Sequence, residues 1–582
     1  MYIINKKYLP FVLYVVVIYS FWIFDIRYGF IPMDYENHFG TIQRLMNGQI
    51  PHLDFNSFYL VGAPAINGFY NFFLESNNFQ VSRIITLTMV FVYSYILITI
   101  LIPKKNLLIK FKPFLTISSF VINLHFMFLF HFYTFDGIFY SIIGFYTIKY
   151  LNRPLLGSIL LGLSILMKSV FIISTLFLVA YLLYYKDLKI KYSIFTVIPS
   201  FIYVIVIFIN GGINGLIFDF SSNETIPIRS AFHHLGFFDT VLALIIFLFV
   251  GVFAYKNNNI NFNKFKNTSL FLIFIICLNI TNFSYPNYKP WLNILNLIIL
   301  VYIILSYRNN ESIEKYRDLF YLIYVIEASA IISIGHRWGQ YLSGSLIILI
   351  LIFIYENITN ESSIEKRTSI YELINKSIQI KNRQFNYSGS FKKSILIMFI
   401  IIGLLKPVIQ TIEFRTTEGW LGYFFNFEKE RAVYNLDKIN EKFGNIYTTK
   451  NVFNYLTELD KCINEIPHNR ISIVPESPQL ACIFDLKDPL PLDWIMKFGK
   501  EKNYLYNIIS ESTKNLENSV IFLQSYKLWD INDYSEDVIA TYNGPFFNDL
   551  DTDNEQRKVG ELLILKSINS LETCGPFRIL RY

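Results

Sequence analysis

Residues 82–102 read SRIITLTMVFVYSYILITILI, and the ten that follow, PKKNLLIKFK, carry four lysines. The first stretch is 21 residues long with one charge, Arg83, close to its start. An α-helix rises about 1.5 Å per residue, so this run can cross the roughly 30 Å hydrocarbon layer of a bilayer. Working outward, further apolar runs of spanning or near-spanning length occur at about 8–24, 113–132, 137–150, 155–168, 169–185, 192–210, 237–255, 268–285, 290–306, 318–335, 341–355 and 394–412. With 82–102 they make thirteen. Several fall short of the usual 17 or so residues, and the 137–185 stretch can be partitioned in more than one way.

The loops between the runs fix a sidedness. With the N-terminus in the cytoplasm, the inner segments contain 24 Lys and Arg, from Lys6-Lys7 through Lys104–Lys112, Lys149–Arg153, Lys186–Lys191, Lys256–Lys266 and Arg308–Arg317 to Lys366–Lys393. The outer segments before residue 413 contain seven: Arg27, Arg44, Arg83, Lys168, Arg229, Lys289 and Arg337. This strict alternation is the distribution that positive charge takes across a membrane, and an error of one span would scramble it. Composition agrees. Of 582 residues, 53% are apolar and only 16% charged, with 57 Phe and 41 Tyr. A water-soluble surface cannot be covered with so few charges, and disordered, collagenous and coiled-coil classes are excluded. The basic residues lie in short loops rather than in one soluble patch, which excludes a nucleic-acid binder. The expectation is an α-helical polytopic protein, integral to the inner or plasma membrane.

Two pieces lie outside the bilayer: a first outer loop, 25–81, and a C-terminal domain, 413–582, placed on the same outer face. Residues 1–412 hold 32 basic and 18 acidic residues, net +14, whereas 413–582 hold 19 and 26, net −7. Strand-like runs at Ile471–Val474, Val520–Leu523 and Leu562–Leu565 alternate with helix-like stretches at 431–443, 452–464 and 500–515, the pattern of a mixed α/β domain. Cys462, Cys482 and Cys574 fall here, and one disulfide is compatible with an oxidising compartment.

Ionisable groups at the membrane's outer edge are costly and mark function. The densest set is Asp34-Tyr35-Glu36-Asn37-His38, followed by Arg44, Gly48, Pro51, His52 and Asp54. On a helix Asp34 and His38 share a face, whereas on an extended segment Asp34, Glu36 and His38 align. A carboxylate here can take a proton from a hydroxyl or bind a cation; the alternative is an ordinary solvated loop. Asp136 stands before the run at 137, as a ligand or as a helix N-cap. Lys168 and the pair His336-Arg337 are lone basic groups at the outer boundary, able to pair with phosphate or to snorkel and anchor. Glu327 lies mid-span, where it must be paired or protonated, and reads as structural; Lys406 near a span end snorkels; His125 and His131 flank an aromatic run and read as packing groups.

The stretch Asp34–His38 through Leu45-Met46-Asn47-Gly48-Gln49-Ile50-Pro51-His52-Leu53-Asp54-Phe55 resembles the first-loop signature of the GT-C membrane glycosyltransferases, which include dolichyl-phosphate-mannose protein mannosyltransferases and lipid A aminoarabinose transferases. Thr134-Phe135-Asp136-Gly137 and Gly162–Lys168 resemble two further segments of that family, with Met167 where threonine is usual. Ile471–Pro478 with Pro489-Leu490-Pro491 is similar to the outer domains of bacterial members. Tyr35 occupies the place of a second acid and displaces Glu36 by one residue. The resemblance implies an inverting transfer of a sugar from a polyprenyl-phosphate donor to a hydroxyl on a lipid, protein or glycan acceptor at the outer face. Asp34 would be the base. Glu36, His38, Asp54, Asp136, Lys168, His336 and Arg337 would bind substrate, with a divalent cation (magnesium or manganese) as the one cofactor in view. A lipid-linked glycan flippase or transporter would show internal repeats and Gly/Pro-broken helices in both halves, neither of which the sequence shows, and ionisable groups at the midplane, whereas most of these gather at the outer rim. A glycan polymerase or ligase would rely on late outer loops instead.

Overall fold

The computed structural model describes residues 9–30, 38–57, 60–102, 107–125, 129, 133–222, scattered positions between 316 and 329, 342–352, 355, 386–417, 432–467, 470–474, 477, 479–491, 504–524 and 555–582. It is mostly helical. In chain order the first helices are α1 (Leu9–Phe21), α2 (His38–Met46), α3 (Gly62–Asn67), α4 (Asn78–Leu101), α5 (Lys112–Leu124), α6 (Tyr133–Lys149), α7 (Pro154–Met167), α8 (Phe171–Tyr184), α9 (Ile190–Ser193), α10 (Ile198–Ile209) and α11 (Ile213–Ser222). Among the described residues, α4 and the segment Ile397–Thr417 of the helix Asn386–Thr417 are long and apolar enough to cross a membrane. The bent pair Ile190–Thr196 and Ile198–Ile209, angled at 41°, adds a third when taken as one span. The other described apolar helices, such as α7 and α8 with 14 residues each, are shorter. The predicted runs at 237–255, 268–285 and 290–306 lie outside the described residues.

The chain divides into two compact units. In one, α5 meets the helix Ser343–Ile352 along a seam of small and polar residues. Asn123 donates to Ser94 Oγ at 2.9 Å and Ser345 Oγ at 3.1 Å, and accepts from the Gly344 amide at 2.8 Å. A Cβ on Gly344 would stand 2.3 Å from the Ser119 carbonyl oxygen. Small residues let backbones approach where the hydrophobic effect supplies little drive, and hydrogen bonds then join the helices.

The other unit contains α6–α8 and α10–α11, the loop after α1, and the chain after residue 415. The α6–α7 hairpin is held by a glycine seam, since a Cβ on Gly157 would meet Ile148 at 2.4 Å and the Gly144 carbonyl at 2.7 Å. α6 starts four residues ahead of the apolar run, so Asp136 sits in its first turn rather than capping it; a carboxylate there complements the helix dipole. Exposed Ile172, Leu176, Phe201, Ile202, Phe208 and Ile209 give α8 and α10 apolar outer faces, as a lipid-facing helix requires.

After residue 431 the sequence folds as a mixed α/β body. Strands β1 (Tyr434–Asn435) and β2 (Tyr447–Thr448) pair with each other. The strands β3 (Arg470–Val474), β4 (Ser519–Gln524), β5 (Asn569–Cys574) and β6 (Phe577–Arg581) form a sheet of order β3-β4-β6-β5, parallel only between β3 and β4. Every residue of β4 is buried, as expected of a central strand. Two expectations are corrected. Leu562–Leu565 is not a strand but part of the helix Glu555–Lys566, because Val559, Leu562 and Leu563 recur at helical spacing and are buried in the sheet's core. The stretch 431–443 is no continuous helix in its described part: Asn435 and Asn440 side chains accept from the amides of Asp437 and Lys442, opening two separate short turns. Asn side chains compete in this way with helical backbone bonds.

Cys462, in the helix Lys450–Glu465, is bonded to Cys574 at the end of β5, a separation of 112 residues. Cys482 is free, and burial pushes its thiol up to about 12. Two outcomes follow. Replacing Cys574 by Ser should cost about 2–5 kcal/mol, the usual loss for such a bond, seen as a lower Tm for this domain. With Cys277, the remaining one of the four cysteines, replaced by Ser, Cys482 should resist alkylation at pH 8 until the protein is unfolded; labelling of the native protein would contradict its burial.

Candidate functional site

The first outer loop begins on buried charge. Asp25, fully buried in the π-helical turn Trp22–Ile26 that follows α1, faces Arg415 at 3.4 Å. Arg83, also buried, donates to the carbonyls of Ile26 at 2.9 Å and Gly29 at 2.7 Å. Strand β2 then receives the loop: Tyr447 N donates to Arg27 O at 2.6 Å, Gly29 N to Tyr447 O at 2.9 Å, and the Arg27 guanidinium lies over the Tyr447 ring. An aromatic cluster of Phe30, Phe39, Phe79 and Phe443 closes this end of the loop. Asp34 and Glu36 lie outside the described residues. His38 opens α2 and is buried with its ring 4.6 Å from that of Phe39.

The run Arg44-x3-Gly48-x2-Pro51-x2-Asp54 turns out to shape the loop. Gly48 has φ +76, a left-handed turn that glycine favours. Asp54 is exposed and folds back to accept the Ile50 amide at 2.6 Å. Arg44 is buried, pairs with Asp488 at 2.7 Å, and lies 5.2 Å from the centre of the Phe55 ring. Its partner comes from the C-terminal domain, a pairing that local sequence gives no sign of.

The residues that the structure does bring together lie at the ends of α6 and α7. Lys168 caps the C-terminus of α7, buried, and its Nζ donates to Thr134 Oγ1 at 3.1 Å. Thr134 and Asp136 are both buried in the first turn of α6. The glycine-lined hairpin thus sets one cation, one hydroxyl and one carboxylate-bearing turn at the same end of two packed helices. That end is sealed by an apolar cluster of Leu60, Ala63, Tyr133, Leu166, Met167, Ile207 and Leu216. A cation so placed can offset phosphate charge more strongly than in water. His336, Arg337, Glu327 and His131 lie outside the described residues. His125 meets Thr411 at 3.0 Å and packs on Phe414, as expected of a packing group. Among the described residues no group of three or more His, Cys, Asp or Glu side chains is placed to hold a metal ion.

His52 of the first-loop run joins a constellation whose other members, Asp219 and Tyr203, the sequence reading passed over. His52, with φ +62, has Nδ1 2.5 Å from Asp219 Oδ2 and Nε2 2.6 Å from the Tyr203 hydroxyl. Asp219 also accepts from Asn56 Nδ2 at 2.7 Å and the Ser57 amide at 3.2 Å. A carboxylate only accepts, so Nδ1 carries the proton and Nε2 accepts from Tyr203. A Cβ on Gly215 would fall 1.7 Å from the His52 carbonyl oxygen, so the loop lies directly on α11. The signal was a lone acid within the apolar stretch Ile213–Phe220.

Removing one partner of a buried, charge-bearing pair costs about 3–5 kcal/mol, whereas an exposed pair contributes under about 1 kcal/mol. Asp219→Ala should therefore lower the Tm of the purified protein far more than Asp187→Ala, which breaks the partly exposed Lys149–Asp187 pair. Equal shifts would contradict this placement of Asp219. No family model, curated protein or solved structure matches this chain.

Proposed function

We propose that this chain is a membrane glycosyltransferase of GT-C-like architecture, with about thirteen spans, a cytoplasmic N-terminus and an outer C-terminal domain. It transfers a sugar from a polyprenyl-phosphate donor to an acceptor hydroxyl at the outer face. The observation that carries this reading is which segments meet. The charge pattern assigns 25–81, the first turn of α6, Lys168, α11 and the C-terminal domain to one side. Contacts join just these: Lys168 with Thr134, His52 with Asp219, Tyr28 with Tyr447, and Asn56 with Pro491. Lys149 and Asp187, assigned to the opposite side, pair with each other at 2.9 Å. The Cys462–Cys574 bond further supports an oxidising outer compartment.

In this reading Asp34 accepts the proton of the acceptor hydroxyl. The oxygen attacks the anomeric carbon from the face opposite the phosphate, and the carbon–oxygen bond to the donor phosphate breaks. The electron pair leaves on polyprenyl phosphate, whose charge Lys168 and Arg337 offset. Thr134 holds the Lys168 ammonium in place. Asp136 borders the donor's sugar or phosphate.

The test is transfer of radiolabelled sugar from a polyprenyl-phosphate donor by protein reconstituted in vesicles. Asp34→Asn keeps size and removes the base, so transfer should fall at least about a hundredfold with expression unchanged. Lys168→Ala should also abolish transfer. Wild-type activity in Asp34→Asn would overturn the reading.

A further inference from the structure

The C-terminal domain touches the first outer loop in a way that mere coverage does not require. Its segment Leu486–Pro491 meets the loop at three points: Asp488 pairs with Arg44 at 2.7 Å, the Leu486 carbonyl accepts from Asn47 Nδ2 at 3.2 Å, and the Pro491 carbonyl accepts from the Asn56 amide at 2.7 Å. Asp488 is itself fixed, accepting from the Leu490 amide at 2.9 Å and from the hydroxyl of Ser472 on β3. Arg44 is held in turn between Phe55 and Gln49, whose Oε1 is 3.4 Å from Nη1. The Arg44 side chain is 3% exposed and that of Asp488 17%.

Burying such a pair gains little stability over an apolar contact, because desolvation offsets the attraction. What it does supply is geometry: a guanidinium and a carboxylate accept few relative placements. Arg44 lies in the last turns of α2, and the chain entering α2 is the Asp34–Asn37 segment.

We propose that Asp488 is a positioning residue. Through Arg44 it fixes the seat of α2, so the C-terminal domain sets the working geometry of the first outer loop over residues 38–57. The inference rests on the glycosyl-transfer reading for its effect on rate, but not for its effect on the loop.

The experiment compares wild type, Asp488→Asn, Arg44→Lys and the swap Arg44→Asp/Asp488→Arg, each as the full chain in lipid nanodiscs. Two readouts are taken: transfer kinetics with a polyprenyl-phosphate sugar, and hydrogen exchange of peptides covering 38–57. The expected result for Asp488→Asn is a fall in kcat of about tenfold or more with donor KM nearly unchanged, and faster exchange confined to 38–57. Arg44→Lys, which keeps the charge, should retain more activity, and the swap should recover part of both readouts. Wild-type kcat and exchange in Asp488→Asn would overturn the proposal. So would faster exchange throughout 432–582, which would make Asp488 a residue of domain folding. If wild type transfers no sugar, the glycosyl-transfer reading fails, and the exchange of 38–57 still decides whether the clamp exists.

Discussion

Charge is scarce in this chain, and several buried ionisable groups have water replaced by a partner from a distant part of the sequence. Arg415 faces Asp25, Arg83 is held by backbone carbonyls, Lys168 by Thr134, Arg44 by Asp488, and the Asp219 carboxylate by His52. An ion left alone in such surroundings would cost several kcal/mol. Each pairing therefore acts as a tether with few permitted geometries. Together they gather the first loop, the ends of α6 and α7, α11 and the C-terminal domain into one unit.

Much of this organisation was legible in the residues. The basic loops and apolar runs locate α4 and the last span, because a helix in hydrocarbon must satisfy its own backbone and leave its charges at the ends. The strands β3 and β4 coincide with short runs rich in Ile, Val and Ser or Phe, and the helix Lys450–Glu465 covers the stretch expected at 452–464. Lys168 was singled out as a cation on the wrong side of the charge bias, and the structure buries it against the turn that carries Asp136.

The remainder was not legible, for two physical reasons. Leu562–Leu565 has the composition of a strand, and only its burial partners on the sheet reveal a helix. Asp54 read as a substrate ligand, and Arg44 as one of the loop's exposed charges, because their partners were invisible: one is a backbone amide four residues back, the other an aspartate in a separate domain. Asp219 was passed over for the same reason, since it is inconspicuous until His52 is seen against it. The first-loop pattern is thus in good part a device for shaping the loop.

The sidedness of these segments is the claim on which everything else stands. It is tested most directly by single cysteines at Leu53 in the first loop and Leu151 between α6 and α7, both about half exposed, in a Cys277→Ser background. The measurement is labelling of intact cells with a membrane-impermeant thiol reagent. Position 53 should label at once and position 151 only after permeabilisation. The reverse order, or equal labelling from outside, would contradict the account.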